Sequence, residues 1–191
     1  NTSGVGFMHP ACNHNAQAPS IQKGDKIIVN GHLGDHGVAV LAAREGLEIS
    51  SQIRSDCASL NGVIGEIMDH ADGVHFMRDL TRGGLATVMC EIATHFGLGI
   101  HLEEDALPTG EQMKGICEML GLDPLYLANE GKFVLIVEPE SLDRVLEVLK
   151  AHPLGQHAAV VGEVVDEHPQ RVVMETQIGG KRIIDMLTGE Q

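Results

Sequence analysis

The stretch "MRDLTRGGLATVMCEIA" (77–93) carries an acid, a hydroxyl, an arginine and two glycines just before a helical stripe, a combination that could serve an anion site. Asp79, Thr81, Arg82, Gly83 and Gly84 stand where an apolar strand would deliver the chain to a helix N-terminus. Free amides and the helix dipole attract negative charge at such a place. The glycines permit close backbone approach, Thr81 can cap the helix or donate to an oxygen, and Arg82 can clamp a phosphate or carboxylate. A second reading stays open on the same pattern, in which Asp79 or Thr81 caps the helix and Arg82 is solvated. The spacing is not that of a P-loop.

A second group lies in "LANEGKF" (127–133), where Asn129 and Glu130 precede the most apolar run of the chain. A carboxylate at a sheet edge needs a polar reason to be there. The local pattern alone favours a turn in which Gly131 takes a positive φ. In "SDCAS" (55–59) an acid precedes a thiol, which raises a thiol's pKa instead of activating it. That stretch therefore reads as a turn leading into a helix. Asp35 and His36 occupy another glycine turn, "GDHG". The eleven histidines include His9 and His14 near Cys12, and the pair His32 and His36, but no zinc spacing is present, so no structural metal is expected and a fortuitous surface site is the better reading. GxSxG is absent too, which removes one hydrolase reading.

The elements that must position these groups follow from periodicity. Strands are expected at 26–31, 74–77, within "GIHLEE", at 132–138, in "AAVVGEVV", in "QRVVME" and near "GGKRIIDML". Helices are expected at 34–46, over "SLNGVIGEIMDHA", after Gly84 as far as Gly97, from Pro108 to Gly121, and over "PESLDRVLEVLKAH". "AAVVGEVV" and "QRVVME" read as a hairpin around "DEHP". Alternating and then adjoining strands imply an α/β (α+β) fold with a mixed β-sheet covered by helices.

The chain has 191 residues, with 13 Lys plus Arg against 27 Asp plus Glu, a net charge of −14. That field opposes nucleic acid and anionic membrane as partners. A phosphate ligand would need a local site. Four cysteines without a CxxC pair read as reduced thiols in a cytoplasmic protein, and no run reaches the ~20 apolar residues of a membrane span.

Taken in order, "GDKIIVNGHLGDHGVAVL", "SDCASL", "MRDLTRGGLATVMCEIA", "DPLYLANEGKFV", "HPLGQHAAVVGEVV" and "GGKRIIDMLTGEQ" resemble the C-terminal half of the HypE family of hydrogenase-maturation proteins. That family sits in the superfamily of aminoimidazole ribonucleotide synthetase, selenophosphate synthetase and thiamine-monophosphate kinase. The resemblance runs from about Lys23 onward and implies a PurM C-terminal-domain-like fold for 23–191, with 1–22 a linker or a remnant of a preceding domain.

It also implies an activity. In such proteins a C-terminal cysteine is carbamoylated by HypF, ATP with Mg2+ phosphorylates the carboxamide oxygen, and loss of phosphate leaves a thiocyanate. The HypC–HypD complex accepts the cyanide, and the preceding domain builds a homodimer. On this resemblance Arg82 with the Gly83 and Gly84 amides, beside Asp79 and Thr81, would face phosphate. Glu130 would accept the amide proton, Asn129 would position the substrate, and Asp35 and His36 would line the cleft. The preceding domain and the cysteine tail are not in this sequence, so the polypeptide alone is expected neither to hydrolyse ATP nor to bind it tightly. A small-molecule kinase domain of the same superfamily and a non-catalytic scaffold for maturation partners are the alternatives.

Overall fold

Every residue of the run FVLIV is buried because its two faces meet different helices. The protein is described by a computed structural model covering residue 5, residues 21–46 and residues 53–186. In chain order the strands and helices are β1 (Lys26–Val29), α1 (Asp35–Glu45), α2 (Asn61–His70), β2 (Val74–Asp79), α3 (Gly84–Phe96), β3 (Gly99–Glu103), α4 (Glu111–Leu120), β4 (Phe133–Val137), α5 (Leu142–Ala151), β5 (Ala159–Val165), β6 (Val172–Glu175) and β7 (Lys181–Ile184). The strands form one mixed sheet in the order β2-β4-β1-β5-β3-β6-β7. Of the pairings among the described residues, β3 with β6 is parallel and the others are antiparallel.

Alternation along the strands sorts side chains to two layers. Ile27 and Val29 of β1 and Val134 and Ile136 of β4 pack with Leu85, Met89, Ile92 and Ala93 of α3. Ile28 with Phe133, Leu135 and Val137 packs on the opposite face with Val63 and Ile67 of α2 and Val145 and Leu149 of α5. Each fully buried side chain of this size contributes about 1.5–3 kcal/mol of transfer free energy. A slip of one residue in β4 would exchange the two layers, so its register is fixed by both. Val38 of α1 joins Met113, Ile116 and Cys117 of α4 in a smaller cluster beside the sheet. Ile21, in the segment expected to be a linker, is buried in the α3 layer.

Two expectations from the sequence are corrected. β5 and β6 do not form a hairpin, because β3 lies between them, antiparallel to β5 and parallel to β6. The connection crosses the start of β3 at Gly99, where a Cβ would lie 1.9 Å from the Glu167 carbonyl oxygen. The crossing is held by Gln170 N–H donating to Leu98 O at 2.8 Å and Ile100 N–H donating to Arg171 O at 2.9 Å. The helix expected from Pro108 starts instead at Glu111. The Pro108 carbonyl holds the chain after β1, accepting the Leu33 N–H at 2.9 Å.

Candidate functional site

β4 runs antiparallel to both β1 and β2, so the chain leaving β1, the chain leaving β2 and the chain arriving at β4 meet at one end of the sheet. These are the three segments that hold Asp35 and His36, the Thr81–Gly84 turn, and Asn129 with Glu130. Topology therefore brings together residues nearly a hundred positions apart in the chain.

Asn129 joins the three segments. It is fully buried. Its Oδ1 accepts the Gly34 N–H at 2.9 Å, and its Nδ2 donates to Leu80 O at 3.1 Å and Leu127 O at 2.9 Å. Its own N–H also donates to Leu80 O at 3.1 Å. The side chain's hydrogen-bonding capacity is spent on backbone, as satisfaction of a buried amide requires. Asn129, expected to position a substrate, holds loops together here.

Glu130 stands next to it with 43% of its side chain exposed and its Oε1 at 3.9 Å from His36 Nε2. The His36 Nδ1 is 2.9 Å from Ser55 Oγ. Asp56 is buried beneath, accepting the Glu130 N–H at 3.0 Å through Oδ1 and Lys132 Nζ at 2.9 Å through Oδ2. Gly131 does not have the positive φ expected for it. It is glycine for another reason: a Cβ there would lie 2.0 Å from the Asp56 carbonyl oxygen.

The Asp79–Gly84 turn takes a definite form. Asp79 ends β2, and its Oδ2 accepts the Thr81 hydroxyl at 2.7 Å. Gly83 is the residue before α3, with φ 74°, and no side chain caps the helix. The capping reading of Asp79 and Thr81 therefore does not hold. Gly84 has φ 58°, and a Cβ on it would lie 2.4 Å from the Leu125 carbonyl oxygen. The Gly84 N–H donates to Thr81 O at 3.2 Å, closing the turn. Arg82 is exposed and makes no ion pair or hydrogen bond among the described residues.

Burial raises the Asp35 carboxyl above its ordinary range, with the Lys132 ammonium opposing the shift. Burial also lowers His32, aided by His157, whose ring stacks on it at a centroid distance of 4.2 Å. His32 and His36 thus go to different partners. Among the described residues no three His, Cys, Asp or Glu side chains could hold a metal ion. His9, Cys12 and His14 lie outside the described residues. Cys57 is exposed, while burial pushes the Cys90 thiol up to about 11. No helix among the described residues is long and apolar enough to cross a membrane.

The arrangement offers an exposed carboxylate on a fixed backbone, an adjacent imidazole, and, on the neighbouring turn, a guanidinium without a polar partner among the described residues. Sequence reasoning gave no role to Ser55, Asp56 and Lys132. Asp56 reaches partners 74 and 76 residues away, a relationship that no local spacing carries.

Residues 22–175 match the family model described as AIR synthase related protein, C-terminal domain. A carbamoyl dehydratase HypE from Rhodobacter capsulatus is 48% identical over 190 residues, covering this whole chain and 55% of that protein. The chain thus spans about half the length of the curated relatives it matches. A crystal structure of the hydrogenase maturation protein HypE in complex with ATP superposes with a TM-score of 0.85 at 41% identity, covering 90% of this chain and 53% of that one. A HypE–HypF complex gives 0.83 at 41% identity, covering 88% and 55%.

Proposed function

The chain belongs to the family of AIR synthase related protein C-terminal domains, and on that premise we propose that it forms one wall of the ATP cleft of a carbamoyl dehydratase. The reaction converts the carboxamide of a carbamoylated C-terminal cysteine to a thiocyanate, for the cyanide of a [NiFe]-hydrogenase. The observation that carries the proposal is Glu130, an exposed carboxylate with its main chain fixed by Asp56 where three loops join.

The residues fit part of a nucleotide site. Arg82 is a cation without a protein partner among the described residues, placed at the start of α3, where the dipole adds to its attraction for phosphate. Asp79 and Thr81 shape that turn through their hydrogen bond. Among the described residues no group of three His, Cys, Asp or Glu side chains is placed to hold magnesium. ATP would supply the phosphoryl group that makes the carboxamide oxygen a leaving group. This chain's residues do the rest: Arg82 balances phosphate charge, Glu130 takes a proton from the carboxamide nitrogen, and His36 and Asp35 line the same cleft. Asn129 keeps the loops in register.

The relative solved in complex with HypF supports HypF as a partner. HypF, seen in complex with a HypE, is the proposed carbamoyl donor, and the HypC–HypD complex the proposed acceptor, with a homodimer as the working form in the cytoplasm. The test is to carbamoylate the longest gene product containing this sequence with HypF, add ATP and magnesium, and follow its intact mass. ATP-dependent loss of one water mass from the C-terminal peptide supports the reading. Phosphate release without that loss contradicts it.

A further inference from the structure

Residues 53–59 belong to no helix or strand, yet they touch both groups placed at the centre of the chemistry. Asp56 has 4% of its side chain exposed. A carboxylate that deeply buried is costly unless both oxygens are paired. They are, and the partners are consecutive: Oδ1 takes the Glu130 N–H at 3.0 Å, Oδ2 takes Lys132 Nζ at 2.9 Å, and the Asp56 carbonyl fills the space left by the missing Cβ of Gly131. Three residues in a row are therefore gripped from one position.

The preceding residue grips the other group. Ser55 Oγ accepts the Cys57 N–H at 3.2 Å and lies 2.9 Å from His36 Nδ1. A hydroxyl can donate to a neutral Nδ1 or accept from a protonated one. When the hydroxyl donates to Nδ1, the opposite ring nitrogen, Nε2, carries hydrogen, and it is this nitrogen that stands 3.9 Å from Glu130 Oε1. The other tautomer would aim a lone pair at a carboxylate.

We propose that Ser55 and Asp56 are positioning residues for the reaction: Asp56 sets the main chain of Glu130, Ser55 sets the ring of His36, and the two together hold the carboxylate and the imidazole facing one another. The inference rests on Glu130 as the proton acceptor. It adds that the geometry of that acceptor is made by a segment far away in sequence.

The test uses the longest gene product containing this sequence, carbamoylated by HypF, with thiocyanate formation followed as a function of ATP. Asp56→Asn is expected to lower kcat about 10- to 100-fold, with the KM for ATP changed by no more than about twofold, as misplacement of a reacting group does. Ser55→Ala is expected to lose about tenfold in kcat, and Ser55→Thr, which keeps the hydroxyl, to stay within about threefold of wild type. Ser55 is exposed, so its variants test the idea even if Asp56→Asn fails to fold. Wild-type kcat in Ser55→Ala, or equal losses in Ser55→Ala and Ser55→Thr, would overturn the proposal. So would wild-type kcat in a less stable Asp56→Asn, which would make Asp56 a brace of the fold alone. Wild-type turnover in Glu130→Gln would sink the underlying reading instead, and it shows in that variant by itself.

Discussion

The Lys132 ammonium meets the Asp56 carboxylate at 2.9 Å, with 12% and 4% of the two side chains exposed. This is a buried ion pair that ties the segment before α2 to the start of β4. Its net contribution to stability is small, because desolvation offsets attraction, but an orphaned partner is expensive. Lys132→Met should therefore destabilise the protein by about 3–5 kcal/mol, read by urea unfolding. Replacing both residues with apolar ones should recover a large part of that loss. A cost below about 1 kcal/mol for Lys132→Met would mean that Asp56 finds water or another cation.

Glycines in this chain serve two different ends, and substitution separates them. Gly131→Ala sets a Cβ 2.0 Å from the Asp56 carbonyl oxygen, so backbone must move. The expected cost is about 1–3 kcal/mol, with loss of thiocyanate formation as Glu130 shifts. Gly115, inside α4, has nothing within 4 Å of the same added atom. Gly115→Ala should raise stability by about 0.5–1 kcal/mol through helix propensity. Equal effects at the two positions would contradict the close approach at Gly131.

Asp35 carries a pH dependence whose sign is fixed by its burial. The folded state holds its proton more tightly than the unfolded chain does, since its carboxyl is raised above the ordinary 3.8. Its contribution to stability is present in full below that value and is lost as pH rises through the raised range. Unfolding free energies of wild type and Asp35→Asn, measured by urea from pH 3 to 7, should show the wild type losing ground to the variant as pH rises. A difference that moves the other way would mean that the Lys132 ammonium outweighs desolvation.

Much of this was legible in the sequence. The apolar stripes of α2, α3 and α5 and the run of β4 are local signals, because burial of a helix face or strand face leaves its period in the chain. Pairing is not local. The insertion of β3 between β5 and β6 depends on a crossing over Gly99, and two β-rich runs joined by a short loop read as a hairpin. At the site, Glu130, Arg82 and His36 were visible because exposed polar residues beside glycine turns stand out. Asp56 was not, since its meaning lies in two partners contributed by another segment. Asn129 was visible as a residue, but its buried bonds to Gly34, Leu80 and Leu127 belong to the tertiary fold.

Arg82 is the residue whose lack of an ion pair or hydrogen bond among the described residues is tied to ligand binding. Arg82→Ala should weaken ATP binding about 10- to 100-fold in the longest gene product, the loss of one charge-assisted contact. Stability should stay within about 0.5 kcal/mol of wild type, as for an exposed side chain with no ion pair or hydrogen bond among the described residues. Isothermal titration with ATP checks this, and unchanged affinity would remove Arg82 from the phosphate site.

The central claim is that Glu130 takes the carboxamide proton. The most direct measurement is single-turnover formation of thiocyanate by Glu130→Gln, which keeps the shape of the side chain and the main-chain bond to Asp56 but cannot accept a proton as a carboxylate does. The rate should fall about 10²- to 10⁴-fold, the range for a lost general base, while ATP affinity and the unfolding midpoint hold at wild-type values. A Glu130→Gln rate within a few-fold of wild type would contradict the account.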